Sequence, residues 1–228
     1  MNKEIFIFII FLFVNILSLY YSKDFISVIK EVNTSANLWD ARWEADFIER
    51  AYSPQIGVGE TIGNMSYDKT NNLFYVYRKE GMYDKYCGSI YIKEPTSCVH
   101  LVRDNKRYIY FPDKNFCCMC CTSDQGCGII KTDWVKNYGT YYTTTVIDGN
   151  KVNEFLILDT SKIIYDEYVI PETPQKSIPI RINYENISDM HIIKNSYKEG
   201  IKNSEIFNLP KNMKNCEKSC GYISNCPI

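Results

Sequence analysis

Apolar and polar residues alternate along much of this chain. From Trp39 the odd positions Trp39, Ala41, Trp43, Ala45 and Phe47 are apolar, and the even positions Asp40, Arg42, Glu44 and Asp46 are charged. A period of two puts successive side chains on opposite faces of a strand, one buried and one wet. Two Trp and a Phe on one face call for a thick core or a hydrophobic ligand. A second strand begins at Asn64–Tyr67. Asp68–Asn72 is turn chemistry, because Asn and Asp tolerate left-handed backbone and bond their own chain; Leu73–Tyr77 returns as the partner strand. Gly57, Gly59 and Gly63 ahead of it read as a flexible connection. Their spacing, with no helical pattern following, is not a dinucleotide fingerprint.

Two further hairpins follow. Cys98–Arg103 turns at Asp104-Asn105 into Lys106–Phe111, and Thr140–Ile147 turns at Asp148-Gly149 into Lys151–Leu158. Asp-Gly is a strong hairpin signal because both central residues need positive φ. More strands are expected at Ile163–Val169, at Ile178–Tyr184 and at Met190–Ile193, with Pro171, Pro174 and Pro179 bracketing the loop before the second. Lys23–Ala36 reads as a short helix or an extended arm, and Ile206–Cys226 as an irregular tail. The sum is one all-β domain: a single curved antiparallel sheet, half-barrel or sandwich of eight or more strands, stapled by disulfides.

The cysteines change the picture most. Between Phe116 and Trp134 stand Cys117, Cys118, Cys120, Cys121 and Cys127, half of the ten in the chain. This stretch is expected to form a stapled surface knot. Cys87, Cys98, Cys216, Cys220 and Cys226 complete the set. Five cysteines in the cluster and three in the tail are odd numbers, so full pairing forces at least one bond out of each group. The tail is therefore expected to be stapled to the body, most simply to the cluster. Residues 1–22, with Lys3 ahead of an apolar run from Ile5 to Val14, have the pattern of a secretory signal peptide. The rival reading, an uncleaved anchor, is disfavoured by Asn15 interrupting the run. Residues 23–228 would then form the single secreted domain, in an extracellular or secretory-lumen setting where disulfides are the default. Asn33, Asn64 and Asn186 head N-x-S/T triplets and are candidate glycosylation sites. Hydrophobic residues make up 45% of the chain and 19 Tyr are present, enough for a sizeable core. A net charge of -1 gives no footprint for nucleic acid.

Other chemistries find little support. Cys117-x-x-Cys120 and Cys118-x-x-Cys121 are interleaved pairs that zinc could use, but His100 and His191 are remote and the compartment favours oxidation. Thioredoxin-like chemistry needs a helix N-terminus in a βαβ setting. Neither G-x-S-x-G nor H-E-x-x-H occurs. No metal site is expected. His100, mid-strand, reads as a packed or surface residue, Asp133 as a helix cap and Trp134 as an anchor. Asp166/Glu167 and Glu44/Asp46 lack the alternating oxygen ligands of a calcium loop.

The succession GNMSYDKTNNLFYVYR, a Cys-bearing hairpin, CC-x-CC and CG leading into Asp133-Trp134, and a closing Phe207, Pro210 and Cys216 resembles the ependymin-related secreted proteins. The likeness is strongest to their cysteine-rich protist and algal relatives, and spans Trp39 to Cys226 in element order. It implies a curved sheet like that of bacterial lipoprotein carriers, with a hydrophobic pocket in its concave face, and calcium only by association. The expected function is non-enzymatic binding of a hydrophobic, lipid-like ligand. Candidate liners are Trp39, Trp43, Phe47, Phe74, Val76, Tyr108 and Tyr110. The alternative is an adhesive extracellular glycoprotein working through protein contacts.

Overall fold

The computed structural model of the chain describes residues 38–53, 56–158, 164–173, 176–184, 187–213 and 216–221. The expected signal peptide, the segment Lys23–Ala36, Asn33, Asn186 and Cys226 lie outside them. Alternation does what it predicts. The strands are β1 (Arg42–Ser53), β2 (Gly57–Asp68), β3 (Leu73–Arg78), β4 (Cys98–Arg103), β5 (Lys106–Phe111) and β6 (Phe116–Thr122). They continue with β7 (Gly139–Ile147), β8 (Asn150–Leu158), β9 (Ile164–Thr173), β10 (Lys176–Tyr184), β11 (Ser188–Ile192) and the two-residue β12 (Lys198–Glu199). Two short helices, α1 (Cys87–Ile90) and α2 (Trp134–Tyr138), and a few single turns complete the described structure.

All twelve strands join one antiparallel sheet in the order β6-β5-β4-β3-β2-β1-β11-β10-β9-β8-β7, with β12 beside β1. Two meanders are thus sewn together where β11 returns to pair with β1, Phe47 opposite Ile192. Both expected hairpin turns form: Asp104 and Asn105 have φ of 50° and 59°, Asp148 and Gly149 of 49° and 74°.

The sheet curls. Its two edges, β6 and β7, are consecutive in sequence, yet a flat sheet of this order would hold them about 48 Å apart at ~4.8 Å per strand. The connection 123–138 contains a 3-10 turn and α2 and could reach only about 40 Å. Side chains from β5 and β9, near opposite ends of the order, also line one cavity, Arg107 and Tyr165. Register shifts in the β5–β6, β7–β8 and β9–β10 pairs add bends. The crossing segment covers the concave face, where Ile129, Ile130 and Trp134 pack on Trp39, Trp43 and Tyr67.

Four details differ from expectation. The cysteine-rich stretch is not a separate knot: Phe116–Thr122 is the edge strand β6, paired with β5. Alternation sends adjacent cysteines to opposite faces. Cys117 bonds Cys216 beside Tyr108 and Phe207, and Cys118 bonds Cys220 beside Ile109 and Phe111. Cys121–Cys127 and Cys87–Cys98 are local, and Cys120 is disulfide-bonded as well. The tail is therefore stapled onto the cluster, the simplest of the arrangements that parity allows. It also pairs along β6, with Met119 N–H donating to Lys218 C=O and Cys220 N–H to Met119 C=O. An open edge is thereby covered.

The glycine segment lies inside β2 rather than in a loop. These glycines admit close neighbours. A Cβ on Gly59 would sit 1.8 Å from the Tyr83 ring, and one on Gly63 would sit 2.4 Å from Phe47. Pro171 and Pro179 lie within β9 and β10, where register shifts absorb their missing donors. Asp133 precedes α2 but makes no side-chain cap.

Candidate functional site

The concave face holds a cavity of about 200 Å³. Its apolar part comes from strand parity. Trp43 of β1, Met65 of β2, Phe74 and Val76 of β3, Met190 of β11 and Ile182 of β10 all point inward, with Ile130 of the crossing segment and Trp39 as cover. Trp43, fully buried, stacks between Tyr67 and Tyr197 with ring centroids 5.6 and 5.5 Å away. Trp39 meets Trp43, Tyr67 and Trp134 edge-on.

Of the seven residues expected to line a pocket, Trp39, Trp43, Phe74 and Val76 do so. Phe47 is fully buried in the wall behind them, its ring under the Arg78 guanidinium at 5.9 Å. Tyr108 and Tyr110 lie on the other face of β5 with Val99, Leu101 and Phe207. There the Tyr108 hydroxyl donates to Glu217 of the tail at 2.8 Å. Burial and that carboxylate push the phenol up to about 12. Asn64 is exposed on the outer face of β2.

Five buried polar or charged residues in the cavity wall went unforeseen: Glu49, Arg78, Asp84, His100 and Arg107. Each strand member continues the inward parity of its strand. Arg78 donates through Nε and Nη2 to Glu49, whose Oε1 also accepts from Ser188 Oγ at 2.6 Å. Asp84 Oδ1 accepts from His100 Nε2 at 3.0 Å and from the Tyr86 and Cys87 N–H groups at 3.0 and 2.8 Å. Burial opposes the charge on Asp84, but His100, Arg78 and the Cys87 N–H hold its carboxyl well below the usual range. Burial pushes the His100 imidazole down, against the pull of Asp84. The Asp84 carboxylate it faces is an acceptor, which places a proton on Nε2. Burial likewise weighs against the Arg78 cation, and Glu49 and Asp84 outweigh it.

A sixth buried group is acidic and has no ion-pair partner among the described residues. Glu167 on β9 accepts from Trp39 Nε1 at 2.6 Å, and burial raises its carboxyl well above the ordinary value of 4.5 despite the Trp39 and Trp134 indoles. Its strand neighbour Asp166 faces the other way, toward Asn183 Nδ2 at 3.4 Å, so the pair does not converge on a cation. Because the folded state holds a proton that the unfolded chain releases, this contribution to stability is complete below 4.5 and declines as pH rises through the folded-state value. Glu167→Gln is expected to raise the thermal midpoint at pH 8, with the gap to wild type closing toward pH 4. A gap that is constant across this range would refute a protonated Glu167.

The fold and cavity define a class: an open, disulfide-stapled antiparallel sheet curled around an apolar site with a polar end. No protein-family model matches the chain, and no curated protein matches it. Solved structures do. The chain is similar to an uncharacterized conserved protein from Thermus thermophilus, at 10% identity and TM-score 0.49, over 87% of this chain and 99% of that one. It is also similar to the LolA superfamily protein NE2245 from Nitrosomonas europaea, at 12% identity and TM-score 0.39, over 80% and 96%. The third is MucB in complex with MucA(peri), at 7% identity and TM-score 0.31, over 83% of this chain and 60% of that one.

Proposed function

We propose that this protein is a secreted, non-enzymatic carrier that holds a hydrophobic, single-chain ligand in the concave face of its sheet. The observation behind the reading is the cavity itself, walled by Trp39, Trp43, Met65, Phe74, Val76 and Met190. Pockets for drug-sized molecules run from roughly 300 Å³ upward. A cavity of about 200 Å³ suits one short chain rather than a multi-chain lipid. The carboxylates of the wall, Glu49 and Asp84, are each engaged by several donors, which suits holding a ligand rather than moving protons. Disulfides support an oxidising compartment. Among the described residues no helix is long and apolar enough to cross a membrane. Kinship with ependymin-related proteins, and use of the sequons, belong to the same proposal.

Native mass spectrometry of protein secreted from a eukaryotic host tests the reading. A non-covalent adduct of a few hundred daltons, lost on unfolding, is the expected result. A chain that carries no adduct and takes up no added single-chain amphiphile would overturn it. The exposed Tyr52, Val58 and Ile62 on β1 and β2 would then favour the alternative, a surface acting through protein contacts.

A further inference from the structure

The polar end of the cavity has as many guanidiniums as carboxylates, but its hydrogen bonds are unevenly shared. Both carboxylates there already face donors: Glu49 accepts from Arg78 and Ser188, and Asp84 Oδ1 accepts from His100 and two backbone N–H groups, with Arg78 3.7 Å from Oδ2. Arg107, 7% exposed, makes no ion pair among the described residues; burial weighs against its charge, and Asp84 lies near enough to favour it. Its Nη2 reaches the Gly128 carbonyl at 3.3 Å, and its Nε is buried with no partner. Arg78 Nη1 is likewise buried and unpartnered. Both guanidiniums line the same cavity as Phe74 and Val76. Arginine stays charged in proteins, and leaving its donors unsatisfied away from water is costly. Two such donors at one end of an apolar cavity are complementary to anionic oxygens.

We propose that the ligand is an amphiphile bearing a carboxylate, seated head-inward, with its carboxylate on Arg107 Nε and Arg78 Nη1 and its chain along Val76, Phe74 and Trp43. The proposal rests on the carrier reading and adds the head group and its direction. A planar guanidinium edge matches a carboxylate, and hydrogen bonds between two charged groups are about twice as strong as neutral ones. The chain then lies against the apolar wall, and the anion satisfies the donors that the fold leaves open.

The test uses the full secreted chain, stripped of ligand, with laurate and its neutral counterpart dodecanol as probes at pH 8. Displacement of Nile red, an uncharged dye, reports binding of both. Laurate is expected to bind at least about tenfold more tightly than dodecanol. Arg107→Gln is expected to abolish that preference, weakening laurate at least about tenfold more than dodecanol. Equal affinities for laurate and dodecanol in the wild type would overturn the head-group assignment and leave the carrier reading standing. A preference that survives in folded Arg107→Gln would overturn it too. Binding of neither probe, nor of Nile red, would remove the carrier reading itself. Should Arg107→Gln fail to fold, Arg107→Lys takes its place: it keeps the charge, loses the guanidinium Nε–H, and is expected to weaken laurate more than dodecanol.

Discussion

Replacing Trp43 by alanine is expected to destabilise the protein by about 3–5 kcal/mol, the range for deleting a large buried aromatic. Trp43 is fully buried and stacks on both Tyr67 and Tyr197. Tyr197 follows β11 and sends its hydroxyl to Asp40 at 2.7 Å, while Tyr67 on β2 reaches the Ile130 carbonyl at 2.6 Å. One indole thus joins both meanders and the crossing segment. Urea denaturation of the oxidised protein measures the loss. A change below about 1 kcal/mol would mean that the rings collapse into the space, against the close packing described.

Glu49→Ala is expected to cost a comparable amount, about 3–5 kcal/mol, for a different reason. It leaves the buried Arg78 cation with only Asp84, at 3.7 Å. The pair itself need not be stabilising, since desolvating both ions offsets most of their attraction. The double variant Glu49→Leu with Arg78→Met is therefore expected to recover much of the loss, and chemical denaturation of Glu49→Leu, Arg78→Met and the double closes the cycle. Additive losses would show that the two residues act independently.

These two residues also show where the sequence was readable. The alternation beginning at Trp39 identified the inward face of β1, and Phe74 and Val76 identified that of β3. Both faces simply continue: Glu49 stands two residues beyond Phe47, and Arg78 two beyond Val76. A charge on the apolar parity of a strand is the signal that would have found the polar end of the cavity. His100 and Arg107 carry the same signal less openly. On β4 and β5 both faces are buried, so neither strand shows a wet parity to compare against. That double burial also misplaced Tyr108 and Tyr110. Their outer face is dry because the tail covers it, and the tail's course depends on Cys117–Cys216 and Cys118–Cys220. Parity of cysteine counts could require such bonds without saying which face they close. The glycines of β2 were misread for a related reason, since their role lies in Tyr83 and Phe47 approaching from elsewhere in the chain.

The tail that closes over β6 also sets a timetable for making the protein. Cys117 and Cys118 find their partners 99 and 102 residues later. At roughly 5–20 residues per second of synthesis, that is a wait of about 5–20 seconds. Cys87–Cys98 and Cys121–Cys127, separated by 11 and 6 residues, can close long before. Until the tail is made, the chain therefore carries adjacent thiols on its outermost strand with nothing yet made to receive them. Its yield in a cell should follow the supply of disulfide isomerase more closely than the stability of the finished sheet.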